Sequence, residues 1–393
     1  MYQDWWRGAL MTRHTGLMVL LLAPSIVSGQ ETEAWRSRFA AGEEARQSGD
    51  LAAYATEMAA AAGAMPEDHL NRPFVQYHAA RAAALVGKGD EAVQWLRRAW
   101  DEGIESLMIS FAAFDPAFAD IVDTQSFRDV MNLAADMELS VRSLGGNVHL
   151  IGGAGANVVA QIGSDGVFLV DTGYGPALPA LRAALASLGH SRVARLLVTH
   201  AHEDHMGATP ELGDQATVLA HPAAEAEMLE PYVFIDGVTM PPKPTSALPD
   251  VRIAADTTIR FNGEDVRIVA TEAHTAGDLS LYFAGSRVAH LGDTYLSGNP
   301  MMYPGREDPE GFLNRLEAFL DAMDPTTVVV GGHGDPVGLD AVRGQIAASR
   351  ACMALVRESL ADDLSLEETA ERGADRFPPQ WVAFFYGLFT QGG

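Results

Sequence analysis

The chain has 393 residues, 48% of them hydrophobic, enough for a large core and more than one domain. Its formal charge is −25, its only lysines are Lys88 and Lys243, and its arginines form no cluster, so a polyanionic nucleic-acid partner is repelled. The lone cysteine, Cys352, excludes an internal disulfide and a cysteine-built zinc site.

At the N-terminus, Arg7, Arg13 and His14 precede the apolar segment Gly16 to Val27, and Ser28-Gly29-Gln30 follows. A positive flank, a short apolar stretch and small residues predict a secretory signal peptide over 1–29, starting at Met1 or Met11. The segment is too short for a comfortable membrane span. The expected product is therefore exported, periplasmic or secreted, with no membrane attachment after cleavage.

From 30 to 143 alanine is abundant and strand signals are scarce, which predicts an all-α domain. Gly49-Asp50 and Gly89-Asp90 each end one helical run and start another, as a glycine stop and an N-terminal carboxylate do. The runs Tyr77 to Leu85 and Trp95 to Ala99 are similar to a tetratricopeptide repeat, and that resemblance implies surface for a protein partner. The two Gly-Asp marks are 40 residues apart, against about 34 in the repeat, so an inserted loop near Met65-Pro66 is expected. Trp35, Trp95 and Trp100 are expected to fill gaps between small-residue helices, and His69 and His78 lack partners at ligand spacing.

Strand signals start at Asn147 and continue through Asn157–Ile162 and Val167–Val170, which ends at Asp171-Thr172-Gly173. Gly152 to Ala156 contains a G-x-G, but a β-rich run follows it where an anion site needs a helix, so it reads as a hairpin turn. Residues 176–188 have helical spacing and Val193 to Val198 returns to strand. Then comes Thr199-His200-Ala201-His202-Glu203-Asp204-His205-Met206-Gly207, three imidazoles and a carboxylate within six residues. In extended backbone alternate side chains share a side, so His200, His202 and Asp204 can converge while His205 points elsewhere. One such loop can serve two ions.

Glu230 to Pro249 is proline-rich without a clear period and reads as an irregular insertion. Asn262-Gly263 marks a hairpin. Three further polar residues follow apolar strand-like runs: His274 after Val266–Ala270, Asp293 after Val288–Leu291, and His333 after Val328–Val330. Ligands at strand ends arrive on one edge of a sheet. Residues 346–393 read as helices packing on this domain.

With H-x-H-x-D-H at 200–205 followed in order by His274, Asp293 and His333, residues 144–345 resemble the metallo-β-lactamase superfamily. Asp171-Thr172-Gly173 is similar to that family's early D-T-G turn. The resemblance implies an α/β fold, an αββα sandwich, here preceded by the helical-repeat-like domain. It implies a first metal held by His200, His202 and His274 and a second held by Asp204, His205 and His333. Asp293 would bridge them, and Asp171 would hold a ligand histidine in one tautomer. Nitrogen and oxygen donors suit two Zn²⁺ ions, with Fe or Mn as alternatives.

The expected activity is hydrolysis of an ester, thioester, lactone or amide in a small molecule by a hydroxide bridging two metals, with Asp204 and Asp293 as the catalytic acids. A bridging acid at 293 resembles the thioesterase-like, lactonase-like and phosphodiesterase-like members. β-Lactam hydrolases of the family generally lack one, which makes that activity the alternative. Lactonase-like members use a tyrosine soon after this acid, for which Tyr295 and Tyr303 are candidates, each expected to be a pocket wall. A redox di-iron role is disfavoured because those members resemble a pattern with an acid where this chain has His202. A partner-binding helical protein with an inert metal site is the alternative of another class.

Overall fold

A computed structural model of the chain describes residues 31–391 apart from 68, 70, 104–111, 114, 134–136, 191, 236–237 and 297–307. The expected signal peptide over 1–29 and Tyr303 lie outside the described residues. The chain divides into two compact units. One holds the described residues up to Met137 with Glu230–Pro242; the other holds Glu138–Leu229 and Lys243–Gly393.

The first unit is built from α1 (Glu31–Ser48), α2 (Leu51–Ala64), α3 (Arg72–Leu85), α4 (Gly89–Asp101) and the short α5 (Gln125–Met131). Gly49 takes φ +81, which ends α1, and Asp50 Oδ1 accepts from the Ala53 amide at 3.0 Å, which starts α2. Trp35 packs with Tyr54, Met58 and Ala61, and Trp95 lies against the same cluster, so both fill space between alanine faces. His78 is buried, and burial pushes its imidazole down to about 3. Arg81 and Asp115 form a buried ion pair to which Tyr77 also donates. Glu230–Pro242 contributes a hairpin, β7 (Tyr232–Ile235) against β8 (Val238–Met240), within the stretch expected to be irregular.

In the second unit a seven-stranded sheet is ordered β1-β2-β3-β4-β5-β6-β9. Its strands are β1 (Ser140–Gly145), β2 (Val148–Ala154), β3 (Ala156–Gly163), β4 (Gly166–Val170), β5 (Val193–Leu197), β6 (Thr217–Ala220) and β9 (Val251–Arg252). The first four form an antiparallel meander, and β4, β5, β6 and β9 run parallel. A six-stranded sheet is ordered β10 to β15 in sequence. These strands are β10 (Thr257–Phe261), β11 (Glu264–Ala270), β12 (Leu279–Phe283), β13 (Val288–His290), β14 (Val328–Val330) and β15 (Val337–Gly338). Asn262 and Gly263 turn β10 into β11 with φ of +47 and +82, the left-handed pair a two-residue hairpin needs.

The facing sides of the two sheets share one core. Phe168 meets Phe261 and Phe283 edge to face at 5.6 and 5.8 Å, with Val159, Leu197, Ile268, Leu281 and Val330 around them. Strands buried on both faces read as unbroken apolar runs, as Val167–Val170 does; Leu279–Phe283, equally buried, is interrupted only by Ser280. Behind the second sheet, α10 (Pro309–Asp321), α11 (Leu339–Ala361) and α13 (Pro379–Gln391) bury Phe312, Leu316, Val342, Ile346 and Phe385 against Ala289, Leu291 and Val329. The short α12 (Leu366–Gly373) lies between the last two in the chain. Helix α6 (Leu178–Ser187) crosses over from β4 to β5 and buries Leu181 and Leu185, and the short α8 (Thr209–Gly213) and α9 (Pro222–Met228) precede and follow β6. The unit is thus an αββα sandwich. Strand β1 begins at Ser140, ahead of 144, and α11 runs unbroken across position 345.

Candidate metal centre

Five loops leave the C-terminal ends of β4, β5, β11, β13 and β14 on one edge of the sandwich. The first carries Asp171 at φ +61, a conformation that costs a non-glycine residue energy and is tolerated best by Asn and Asp. Asp171 Oδ1 accepts from the Thr199 amide at 2.8 Å. Its Oδ2 accepts from Thr199 Oγ1 at 2.8 Å and stands 2.7 Å from His205 Nδ1. The Thr172 amide donates to the His205 carbonyl at 2.7 Å, which seats the single helical turn α7 (Glu203–Met206).

These bonds assign tautomers. His205 Nδ1 faces a carboxylate and so carries a proton, leaving Nε2 to point into the site. Thr199 gives its only hydroxyl proton to Asp171, so at 3.0 Å from His200 Nδ1 it accepts. His200 Nε2 is therefore a lone pair. It is buried, and it makes no hydrogen bond among the described residues.

The structure brings all seven expected residues together in two groups. His200, His202, His274 and Asp293 offer donor atoms within 4.8 Å of one another, as do Asp204, His205 and His333. His202 Nδ1 and His274 Nε2 are 3.0 Å apart. Asp293 stands between the groups, with Oδ2 3.6 Å from His274 Nε2 and Oδ1 3.2 and 3.7 Å from Nε2 of His205 and His333. Asp204 Oδ2 lies 3.0 Å from His333 Nε2. The His333 side chain is 33% exposed while Asp204, His205 and Asp293 are buried, so the centre opens on the His333 side.

Burial and the neighbouring imidazoles His205 and His202 hold His200 well below the usual histidine range. Burial, with His274, pushes His202 down to about 3. Burial also opposes charge on His205, but Asp293, Asp204 and Asp171 outweigh it and hold the ring well above its ordinary pKa. His333 is raised by Asp204 and Asp293 despite burial. Asp204, with burial outweighed by His205 and His333, sits at about 2, and Asp293 lies well below the carboxylate range for the same reason.

This donor set fits a pair of cations. His200, with its buried and unpartnered Nε2, and the rings of His202 and His274 surround the first position, and Asp293 Oδ2, buried and without a hydrogen bond among the described residues, faces it. At the second position the surrounding carboxylates, Asp293 and Asp204 foremost, favour protons on His205 and His333. An incoming cation must displace them, so its affinity falls on acidification through the raised histidine pKa values and levels off above them. Calorimetric titrations in buffers of different ionisation enthalpy should show proton release on filling the second position that declines as pH rises. Release independent of pH would contradict this electrostatic picture.

The spacing of the sequence left some parts unread. Thr199 was visible in the loop without a role. Asp278, buried, accepts from the amides of Ala273, His274 and Thr275 and from Thr275 Oγ1, so it shapes the turn that presents His274. An acid one residue after a glycine in a ligand turn is the signal that could have found it. Tyr295, directly after the 3-10 turn Gly292–Thr294, is buried in the core with Phe312, Val329 and Leu339.

The αββα sandwich thus carries a two-group histidine and carboxylate centre, a donor set for metal ions, on one strand-end edge. Residues 151–333 match the family model of the metallo-beta-lactamase superfamily. Over 140 residues the chain is 34% identical to a hydroxyacylglutathione hydrolase from Acidiphilium cryptum (strain JF-5), covering 35% of this chain and 49% of the relative. It is 24% identical over 196 residues to a beta-lactamase-like protein 2 homolog from Caenorhabditis elegans, covering 48% of this chain and 56% of the relative. The chain thus spans about half the length of the curated relatives it matches. Among solved structures, a metallo-beta-lactamase family protein from Thermus thermophilus aligns with TM-score 0.48 and 21% identity over 63% of this chain and 94% of that one.

Proposed function

We propose that the chain is a dinuclear zinc hydrolase that cleaves a thioester or a related acyl bond in a small molecule. The observation that carries this reading is Asp293, whose two oxygens face the two donor groups separately. His200, His202 and His274 would hold one ion, Asp204, His205 and His333 the other, and Asp293 both. When bound, such a pair supplies Lewis-acid charge and ionises water near neutral pH.

The chain's own residues supply the rest. Asp204, ionised at neutral pH, orients the attacking group and takes its proton on a carboxylate oxygen. Asp171 and Thr199 keep two imidazoles facing inward, so no reorganisation is needed at the moment of reaction. Buried walls around Asp293 and His200 exclude bulk water, and the substrate enters past His333. The hydroxyacylglutathione hydrolases among the relatives support a thioester as the bond cut. Export to the periplasm or beyond is part of this proposal and rests on the N-terminal sequence alone.

A hydrolysis panel of an S-acylglutathione, simple esters, lactones, β-lactams and a phosphodiester tests the reading. The expected result is the highest kcat/KM on the thioester, lost on chelation and restored by zinc. Full metal occupancy with no turnover on any member would favour a partner-binding helical protein carrying an inert site.

A further inference from the structure

We infer that Asn157 and His290 are positioning residues that lock Asp293 and His333 to each other, and so govern the second ion position without touching the ion. Four hydrogen bonds run head to tail in a closed ring. The Asn157 amide donates to the Gly332 carbonyl at 2.7 Å, and the Gly332 amide donates to the Gly292 carbonyl at 2.7 Å. The Gly292 amide donates to His290 Nδ1 at 3.1 Å, and His290 Nε2 meets the Asn157 carbonyl at 3.1 Å. Gly292 and Gly332 immediately precede Asp293 and His333, so the ring ties together the backbones that carry those two side chains.

Asn157 adds a second grip. Its Nδ2 donates to the carbonyls of Gly331 and Gly334, at 3.0 and 2.8 Å, on either side of His333. Only an amide offers two protons at that place; a carboxylate would face two carbonyl oxygens. His290 is fully buried at the end of β13. With Nδ1 taken as an acceptor, its only proton must sit on Nε2, so the ring specifies one neutral tautomer. Gly332 is required as well: a Cβ there would collide with Asp293 Oδ1. Asp204 and His205 lie on the α7 turn, and His200, His202 and His274 on loops that take no part in the ring.

That asymmetry gives the test, which rests on the dinuclear reading. Zinc titration of the metal-stripped full chain should show two binding steps. In Asn157→Ala the second step should weaken about 10- to 100-fold, the range for residues that orient a ligand, while the first stays within about 3-fold. His290→Asn, which can still accept from Gly292 but cannot reach Asn157, should give the same selective loss to a smaller degree. Should the alanine chain fail to fold, nitrogen-15 NMR of the metal-free wild type decides: His290 is expected neutral with its proton on Nε2, and a proton on Nδ1 would overturn the ring. Two steps in the wild type with both steps unchanged, or equally weakened, in the variants would overturn the inference alone. A wild type that binds fewer than two ions would sink the dinuclear reading and the inference with it.

Discussion

Asp293→Ala is expected to take up one zinc ion where the parent chain takes up two, with kcat/KM lower by about 10³-fold or more, about 4 kcal/mol of transition-state stabilisation. The reason is electrostatic. Two divalent ions a few ångströms apart repel, and the anion between them is what makes the pair tolerable. Asp293 is the only carboxylate that the structure sets against both donor groups among the described residues, so alanine removes a ligand from each and the screen between them. His200, His202 and His274 remain to hold the first ion. Zinc titration with circular dichroism checks this: two ions bound with unchanged affinity in a folded variant would remove Asp293 from the bridge.

The second large effect is expected at a residue that need not touch an ion. Asp171→Asn keeps the shape, and asparagine tolerates the φ of +61 found there. One side-chain oxygen can still accept from the Thr199 amide. The new NH₂ then faces His205 Nδ1, which must become an acceptor and shift its proton to Nε2. A protonated Nε2 cannot ligate. The expected outcome is a fall in kcat of about 10²- to 10⁴-fold with little change in thermal stability, as when a buried acid that orients a catalytic imidazole is amidated. Asp171→Ala, in contrast, should also lower the melting temperature, since it strands the buried Thr199 amide and puts alanine at positive φ. A fully active Asp171→Asn chain would contradict the tautomer assignment.

The sandwich and the seven converging side chains were legible because their signals are local. Apolar runs such as Val167–Val170 and Val328–Val330 mark buried strands, and a histidine or acid just after each run lands on the same sheet edge. The D-T-G turn announced Asp171 in the same way. What could not be read depends on pairs far apart in the chain. Asn157 reaches Gly331 across 174 residues, and nothing in its own neighbourhood distinguishes it from any polar residue opening a strand. His290 sits inside the run Val288–Leu291 with no ligand spacing of its own; only the closed ring gives both its nitrogens work. The burial of Tyr295 was not readable either, because a 3-10 turn breaks the alternation by which strand residues take sides. The proline-rich stretch after Glu230 has no period, so its hairpin, grouped with the helical unit, was invisible beforehand.

Metal content is the most direct measure of the dinuclear centre. Elemental analysis of the full chain, purified without added metal, should give two zinc ions per molecule. A folded protein that carries one ion or none, and takes up no second from a zinc-buffered solution at neutral pH, would contradict it.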